Sequence, residues 1–249
     1  MIVVENLHKR FGVVKAVGGV SFTARDGGVT GLLGPNGAGK TTTLRMIYAL
    51  MQPDEGRILV DDVDAAGDPQ GVQARVGVLP DVSGLYPRLT AREHIDYYGE
   101  LHGLSGARLD ERARWLIDTL DMGSIADRRT RGFSHGERTK VALARALVHN
   151  PGNILLDEPT NGLDVMSTRA VREIIRRLRD EGRCVLFSSH VMQEVSALCD
   201  TIVVIAKGTV AAMGTPDELR QMTGRENLED AFVALSGLEG DEPREEAVR

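Results

Sequence analysis

The sequence predicts an α/β fold, a mostly parallel sheet with helices on both faces, and three observations carry that prediction. Five short apolar runs, at 29–33, 76–79, 154–156, 184–188 and 201–205, have the length of buried strands. Helical patterns separate most of them, the arrangement that yields parallel pairing with crossover helices. A glycine-rich peptide, Gly34-Pro35-Asn36-Gly37-Ala38-Gly39-Lys40-Thr41, links the first run to a helical stretch at 42–50.

Each element has its own signal. The segment 2–23 holds short apolar runs broken by Gly12, Gly18 and Gly19, which suggests antiparallel strands joined by the run at 57–60. Between the runs at 76–79 and 154–156 lies a long, mainly helical insertion. Thr90-Ala91-Arg92-Glu93 opens one helix with a capping box. Helices at 109–120 and 137–148 follow, and an insertion of this size is expected to form its own subdomain, about 85–150. In 167–181, Val171, Ile174, Ile175 and Leu178 repeat at i, i+3, i+4 and i+7, and Gly182 supplies the stop. Lys207-Gly208 between two apolar runs suggests a tight hairpin. Thr215-Pro216-Asp217-Glu218 combines an N-cap, a proline at N1 and a glutamate at N3. From residue 237 onward the chain is acidic and poor in apolar residues, so a single domain at 1–236 with a disordered tail is expected.

Composition narrows the function. The 249 residues suffice for one large α/β domain with an inserted subdomain. A formal net charge of -6 argues against a nucleic-acid groove as the working surface. Cys184 and Cys199 are far apart in apolar surroundings, so neither a disulfide framework nor a metal site is expected, and a reducing cytosol fits. The start lacks the flanks of a signal peptide, and no apolar run approaches the roughly 18–20 residues that span a bilayer. Service to a membrane would run through a partner.

The glycine-rich peptide fits G-x-x-x-x-G-K-[ST] at every fixed position. Glycines let the backbone wrap a phosphate chain with N–H groups turned inward, and the following helix adds its N-terminal partial charge. Lys40 would reach the β- and γ-phosphates, Thr41 would put a hydroxyl on Mg²⁺, and Thr42 completes the binding set. The run at 154–156 ends in Asp157-Glu158. Asp157 is suited to the metal through water, and Glu158, pointing the other way, to polarising the water that attacks the γ-phosphate. His190, after Ser188-Ser189 at the next strand end, could donate to the γ-phosphate and hold that water in line.

Phe133-Ser134-His135-Gly136-Glu137 precedes a helix just upstream of the Asp-Glu strand. Here the architecture resembles the ATPase subunit of ABC transporters, whose signature at this place is Leu-Ser-Gly-Gly-Gln. Ser134 and Gly136 match; Phe133, His135 and Glu137 depart. The resemblance implies a P-loop ATPase with a RecA-like parallel core, an N-terminal antiparallel β subdomain and an inserted helical subdomain. It also implies that Ser134 and Gly136 meet the γ-phosphate of ATP bound on an opposite subunit. Ser134-x-x-Glu137 is equally a capping box, and a hydroxyl can serve both ends.

By the same resemblance Phe11 takes the place of the aromatic that stacks on adenine, though it could also be core in the strand region. Asp164, closing Pro159-Thr160-Asn161-Gly162-Leu163-Asp164, is the key residue of the loop that crosses the dimer interface. Asp81 stands where the family usually has Gln, and its carboxylate could reach Mg²⁺ through water. Segments 79–81, 84–90, 157–166 and 187–195 are similar to the exporter branch called ABC-2, nearest its sodium-efflux ATPases. The implied protein uses ATP and Mg²⁺, pairs as a homodimer, and drives a polytopic permease from the cytoplasmic face of the membrane. Sodium ions and hydrophobic drugs are the open substrate readings. Rival readings are a soluble ABC-type ATPase acting on ribosomes or DNA, and a nucleotide sensor with little catalysis.

Overall fold

The computed structural model describes residues 1–82 and 84–236; the tail expected from 237 lies outside the described residues. β1 (Ile2–Phe11) and β2 (Val14–Ala24) form an antiparallel hairpin. β3 (Val29–Leu33) leads into the glycine-rich peptide and α1 (Lys40–Ile47). β4 (Glu55–Val60) and β5 (Val63–Asp64) complete a four-stranded antiparallel sheet ordered β2-β1-β4-β5. A short α2 (Pro69–Gln73) and β6 (Val76–Leu79) follow. Three helices then intervene: α3 (Ala91–Leu101), α4 (Gly106–Thr119) and α5 (His135–Leu147).

The remaining chain runs β7 (Asn153–Asp157), α6 (Val165–Asp180), β8 (Cys184–Ser189), α7 (Met192–Leu198), β9 (Thr201–Ala206), β10 (Thr209–Gly214), α8 (Pro216–Thr223) and α9 (Leu228–Ser236). The second sheet is ordered β10-β9-β3-β8-β7-β6, parallel throughout except for the edge strand β10. Its alternating side chains separate two cores. Ile154, Leu156 and Phe187 join the inserted helices, whereas Leu155 and Leu186 join α1 and the antiparallel sheet. β3 sits between β8 and β9, so the crevice at the carboxyl ends of β3, β7 and β8 is where such sheets take ligands.

Helix ends differ from the sequence expectation by one to three residues, each for a local reason. The helix expected at 42–50 starts at Lys40, because Gly39 at φ 104 is its N-cap. It ends at Ile47, because Ala49 takes a left-handed φ of 55. Those expected at 137–148 and 167–181 start two residues sooner, capped by Ser134 and Asp164, and the one at 109–120 starts at Gly106. The Lys207-Gly208 turn has both residues at positive φ, as a type I′ hairpin requires.

Candidate active site

The glycine-rich peptide leaves the carboxyl end of β3 pressed against its neighbours. A Cβ at Gly34 would lie 2.3 Å from the Ile205 carbonyl oxygen, and one at Gly39 would lie 2.5 Å from that of Ala16. Backbone occupies both spaces, so only glycine fits. A cavity of about 440 Å³ opens in front, lined by Ala16, residues 36–42, Asp81, Glu158, Asn161 and His190.

Lys40 is 5% exposed. Its Nζ donates to the Gly34 and Pro35 carbonyl oxygens at 2.7 and 3.3 Å, and stands 3.4 Å from Glu158 Oε1. Asp157 ends β7 in register with Ser188 of β8. Its Oδ1 accepts from Ser188 Oγ at 2.6 Å and from Thr41 Oγ1 at 3.1 Å. Burial pushes the Asp157 carboxyl above its ordinary pKa, the two hydroxyls oppose that shift, and the charges of Asp81 and Glu158 add to it.

Glu158 follows with a left-handed φ of 49, a strained backbone for a side chain of its size. The turn is held because Glu158 N donates to Ser188 Oγ at 3.0 Å. Its carboxylate is clamped from two sides, by Lys40 and by His190, whose Nδ1 donates to Oε2 at 2.9 Å. With that proton fixed, His190 can donate to a phosphate only if both ring nitrogens carry hydrogen. Asp81, just beyond β6, lines this cavity and a smaller one of about 290 Å³ behind the carboxylates.

The hydroxyl of Thr41 and the carboxylate of Asp157 are hard oxygen donors side by side, the set that suits Mg²⁺. Among the described residues no cluster of three or more His, Cys, Asp or Glu could hold a metal. An ion here would therefore complete its shell with water and phosphate oxygens, as Mg²⁺ ordinarily does.

The other residues that the sequence singles out fall elsewhere. Phe11 ends β1, 47% exposed, outside the lining of the cavity, with Lys9 Nζ 6.0 Å from its ring centroid. Ser134, Gly136 and Asp164 gather where α5 and α6 begin. Ser134 Oγ accepts from Glu137 N at 3.2 Å while Ser134 N donates to Glu137 Oε2 at 2.8 Å. A Cβ on Gly136 would lie 2.4 Å from Ser167 Oγ. Asp164 caps α6 by accepting from Ser167 N and Oγ, both at 2.9 Å, and those bonds hold its carboxyl below the ordinary value. His135 Nε2 lies 2.9 Å from the Asn161 carbonyl oxygen, tying the start of α5 to the loop that leads into α6.

Sequence reasoning missed Ala16, Ser188 and Asn161. Ala16 and Asn161 line the cavity; Ser188 touches both Asp157 and Glu158. The signal for Ser188 was the alignment of run ends: setting the end of the run 154–157 against the end of the run 184–188 pairs it with Asp157.

Residues 17–161 match the family described as ABC transporter. The chain is 45% identical over 239 residues to the ABC transporter ATP-binding protein NatA of Bacillus subtilis (strain 168), covering 94% of this chain and 97% of that protein. It is 34% identical to the linearmycin resistance ATP-binding protein LnrL of the same organism, covering 96% and 76%. It is 39% identical to the daunorubicin/doxorubicin resistance ATP-binding protein DrrA of Streptomyces peucetius, covering 88% and 67%. The solved structure of an ATP binding subunit of an ABC transporter superposes with TM-score 0.87 at 29% identity, covering 95% of this chain and 99% of that one. A bacterial ABC transporter cassette solved as a dimer gives 0.80 at 25%, covering 86% and 98%.

Proposed function

The chain belongs to the ABC transporter family as an ATP-binding subunit and ATPase, and on that premise we propose that it is the motor of a membrane exporter, pairing on ATP and coupling hydrolysis to a separate permease. The observation that carries this reading is the clamped Glu158, fixed between Lys40 and His190 at the mouth of the phosphate-loop cavity.

In this reading backbone N–H groups of residues 36–41 bind the phosphates, and Lys40 exchanges its carbonyl partners for phosphate oxygens. Thr41 and Asp157 would hold Mg²⁺, whose charge offsets that of the phosphates; the high proton affinity that burial gives Asp157 is what a nearby cation would reverse. Asp81, on the lining of the same cavity, would contribute through water. Glu158 takes the proton of the attacking water, and His190 keeps its carboxylate aimed. Phe11 offers an exposed ring for a base.

Ser134 and Asp164 are exposed and have only local partners in one chain, and that exposure supports a second copy as the source of ATP for them and Gly136 to meet. The two copies would face head to tail under two-fold symmetry. Nucleotide closes the pair, and loss of the γ-phosphate contacts opens it. Among the described residues no helix is long and apolar enough to cross a membrane. By the family likeness, the subunit would be held at the cytoplasmic face by a polytopic permease, as one domain spanning 1–236.

Sodium ions are the first substrate reading, by the sodium-efflux resemblance of the sequence; the relatives named for drug resistance support a hydrophobic drug as the second. Affinity capture from detergent-solubilised membranes tests the reading. A polytopic protein should come down, and sodium or drug should stimulate the ATPase of that complex. Co-purification with ribosomes or DNA and no membrane protein would refute it.

A further inference from the structure

A second buried carboxylate lies behind the clamped pair, and the chemistry above does not use it. Glu194 of α7 is 5% exposed, and its Oε2 accepts from Thr160 Oγ1, itself 8% exposed. Its Oε1 faces an Arg172 guanidinium nitrogen of α6 at 3.7 Å. Among the described residues Arg172 Nε is buried with no hydrogen-bond partner. A packed apolar side chain would fill this space without desolvating a carboxylate, which makes the choice of glutamate informative.

The position of this group gives it something to do. Thr160 lies two residues beyond Glu158 on a turn closed by Asn161 N to Glu158 O at 3.1 Å and Leu163 N to Thr160 O at 3.2 Å. Glu194 lies four residues beyond His190, its N–H bonded to the Val191 carbonyl at 3.2 Å. The two segments are thus stapled twice, by Glu158 to His190 at the cavity and by Thr160 to Glu194 behind it. A left-handed Glu158 persists only where its surroundings over-determine it.

We infer that Glu194 is a positioning residue for hydrolysis: through the Thr160 hydroxyl it fixes the turn after Glu158, so that the Glu158 carboxylate stays seated between His190 and Lys40. The inference rests on the proposed role of Glu158. A displacement near 1 Å at a reacting group costs as much as about 100-fold in rate, so a latch of this kind acts on kcat and leaves ground-state binding alone.

The test is a cycle on the full chain, comparing Glu194→Leu, Thr160→Val and the double variant with Thr160→Ser. Per folded molecule, each single loss should lower kcat about 10- to 100-fold with ATP affinity unchanged. The double variant should be no slower than the slower single, because both remove one interaction. Thr160→Ser keeps the hydroxyl and should keep the rate. Thr160→Val carries the test alone if Glu194→Leu does not fold. Unchanged kcat, multiplying losses, or a fall in affinity matching the fall in rate would each overturn the latch. Glu158→Gln run alongside separates the two ideas: an active Glu158→Gln sinks the assigned base, whereas an inactive one beside a full-rate Thr160→Val sinks only the latch.

Discussion

The phosphate loop and the paired starts of α5 and α6 are both built from helix N-termini, yet they spend their polar groups differently. At the loop, Lys40 and Asp157 are buried and their side chains reach beyond their own helix turn or strand, to Gly34, Pro35, Thr41, Ser188 and Glu158. At the helix starts, Ser134 and Asp164 are exposed and bond only within their own first turn. The first region is organised to exchange internal partners for a ligand. The second is a surface whose polar groups are already paired within one chain. Helix N-termini favour anions in either setting, so what differs is whether one chain can enclose the anion.

The opposite shifts of two aspartates record the same contrast. Burial raises the pKa of Asp157, and hydrogen bonds lower that of Asp164. For Asp157 the folded protein binds its proton more tightly than the unfolded chain. Its contribution therefore lowers stability as pH rises through the folded pKa, and relief comes on acidification. For Asp164 the sign reverses: its stabilisation is present above the unfolded carboxylate value and is lost as pH falls through the folded one.

Four experiments can break or sharpen this comparison. Glu158→Gln has the largest expected effect, a loss of about 10²–10⁴-fold in turnover with ATP binding kept and an ATP-bound dimer trapped, read by size exclusion. A variant that hydrolyses normally refutes the assigned base. Lys40→Ala removes a charged phosphate partner and should weaken ATP binding by roughly 10- to 100-fold in equilibrium titration; unchanged affinity would dissociate the loop from the nucleotide. Ser134→Arg should block turnover while leaving the affinity of the monomer alone, because in the proposed pair its target lies on another chain. Equal loss of both would fold the two regions into one site. The smallest effect is on stability without nucleotide: at neutral pH Asp157→Asn should raise the melting temperature and Asp164→Ala should lower it, with the second difference vanishing in acid. Shifts of the same sign would contradict the contrast.

Much of the fold was legible because its signals are local. Short apolar runs marked β3, β6, β7, β8 and β9, and the motif at 34–41 marked the ligand crevice at the end of β3. What stayed hidden depends on neighbours far apart in sequence. The register that brings Ser188 to Asp157 joins positions 31 residues apart, and the bond from Thr160 to Glu194 spans 34. The close approach of Gly136 to Ser167 is likewise invisible from either segment alone. Short helices were missed for a different reason. α7 begins at Met192 behind the N-cap Val191, which offers no side-chain cap, so it carries no start signal. α2 does have one, Asp68 capping ahead of Pro69, but five residues give no periodicity to read.

Mixing two inactive proteins tests the shared grip most directly. Lys40→Ala lacks the loop's charge and Ser134→Arg blocks the opposite surface, so at ATP levels well below the weakened affinity of Lys40→Ala, pairs of either variant with itself have no working site. A mixed pair regenerates one complete site, from the loop of the Ser134→Arg chain and the helix start of the Lys40→Ala chain. The account predicts that ATPase activity returns on mixing and rises with protein concentration. No recovery from two correctly folded variants, or full activity of Ser134→Arg alone, would contradict it.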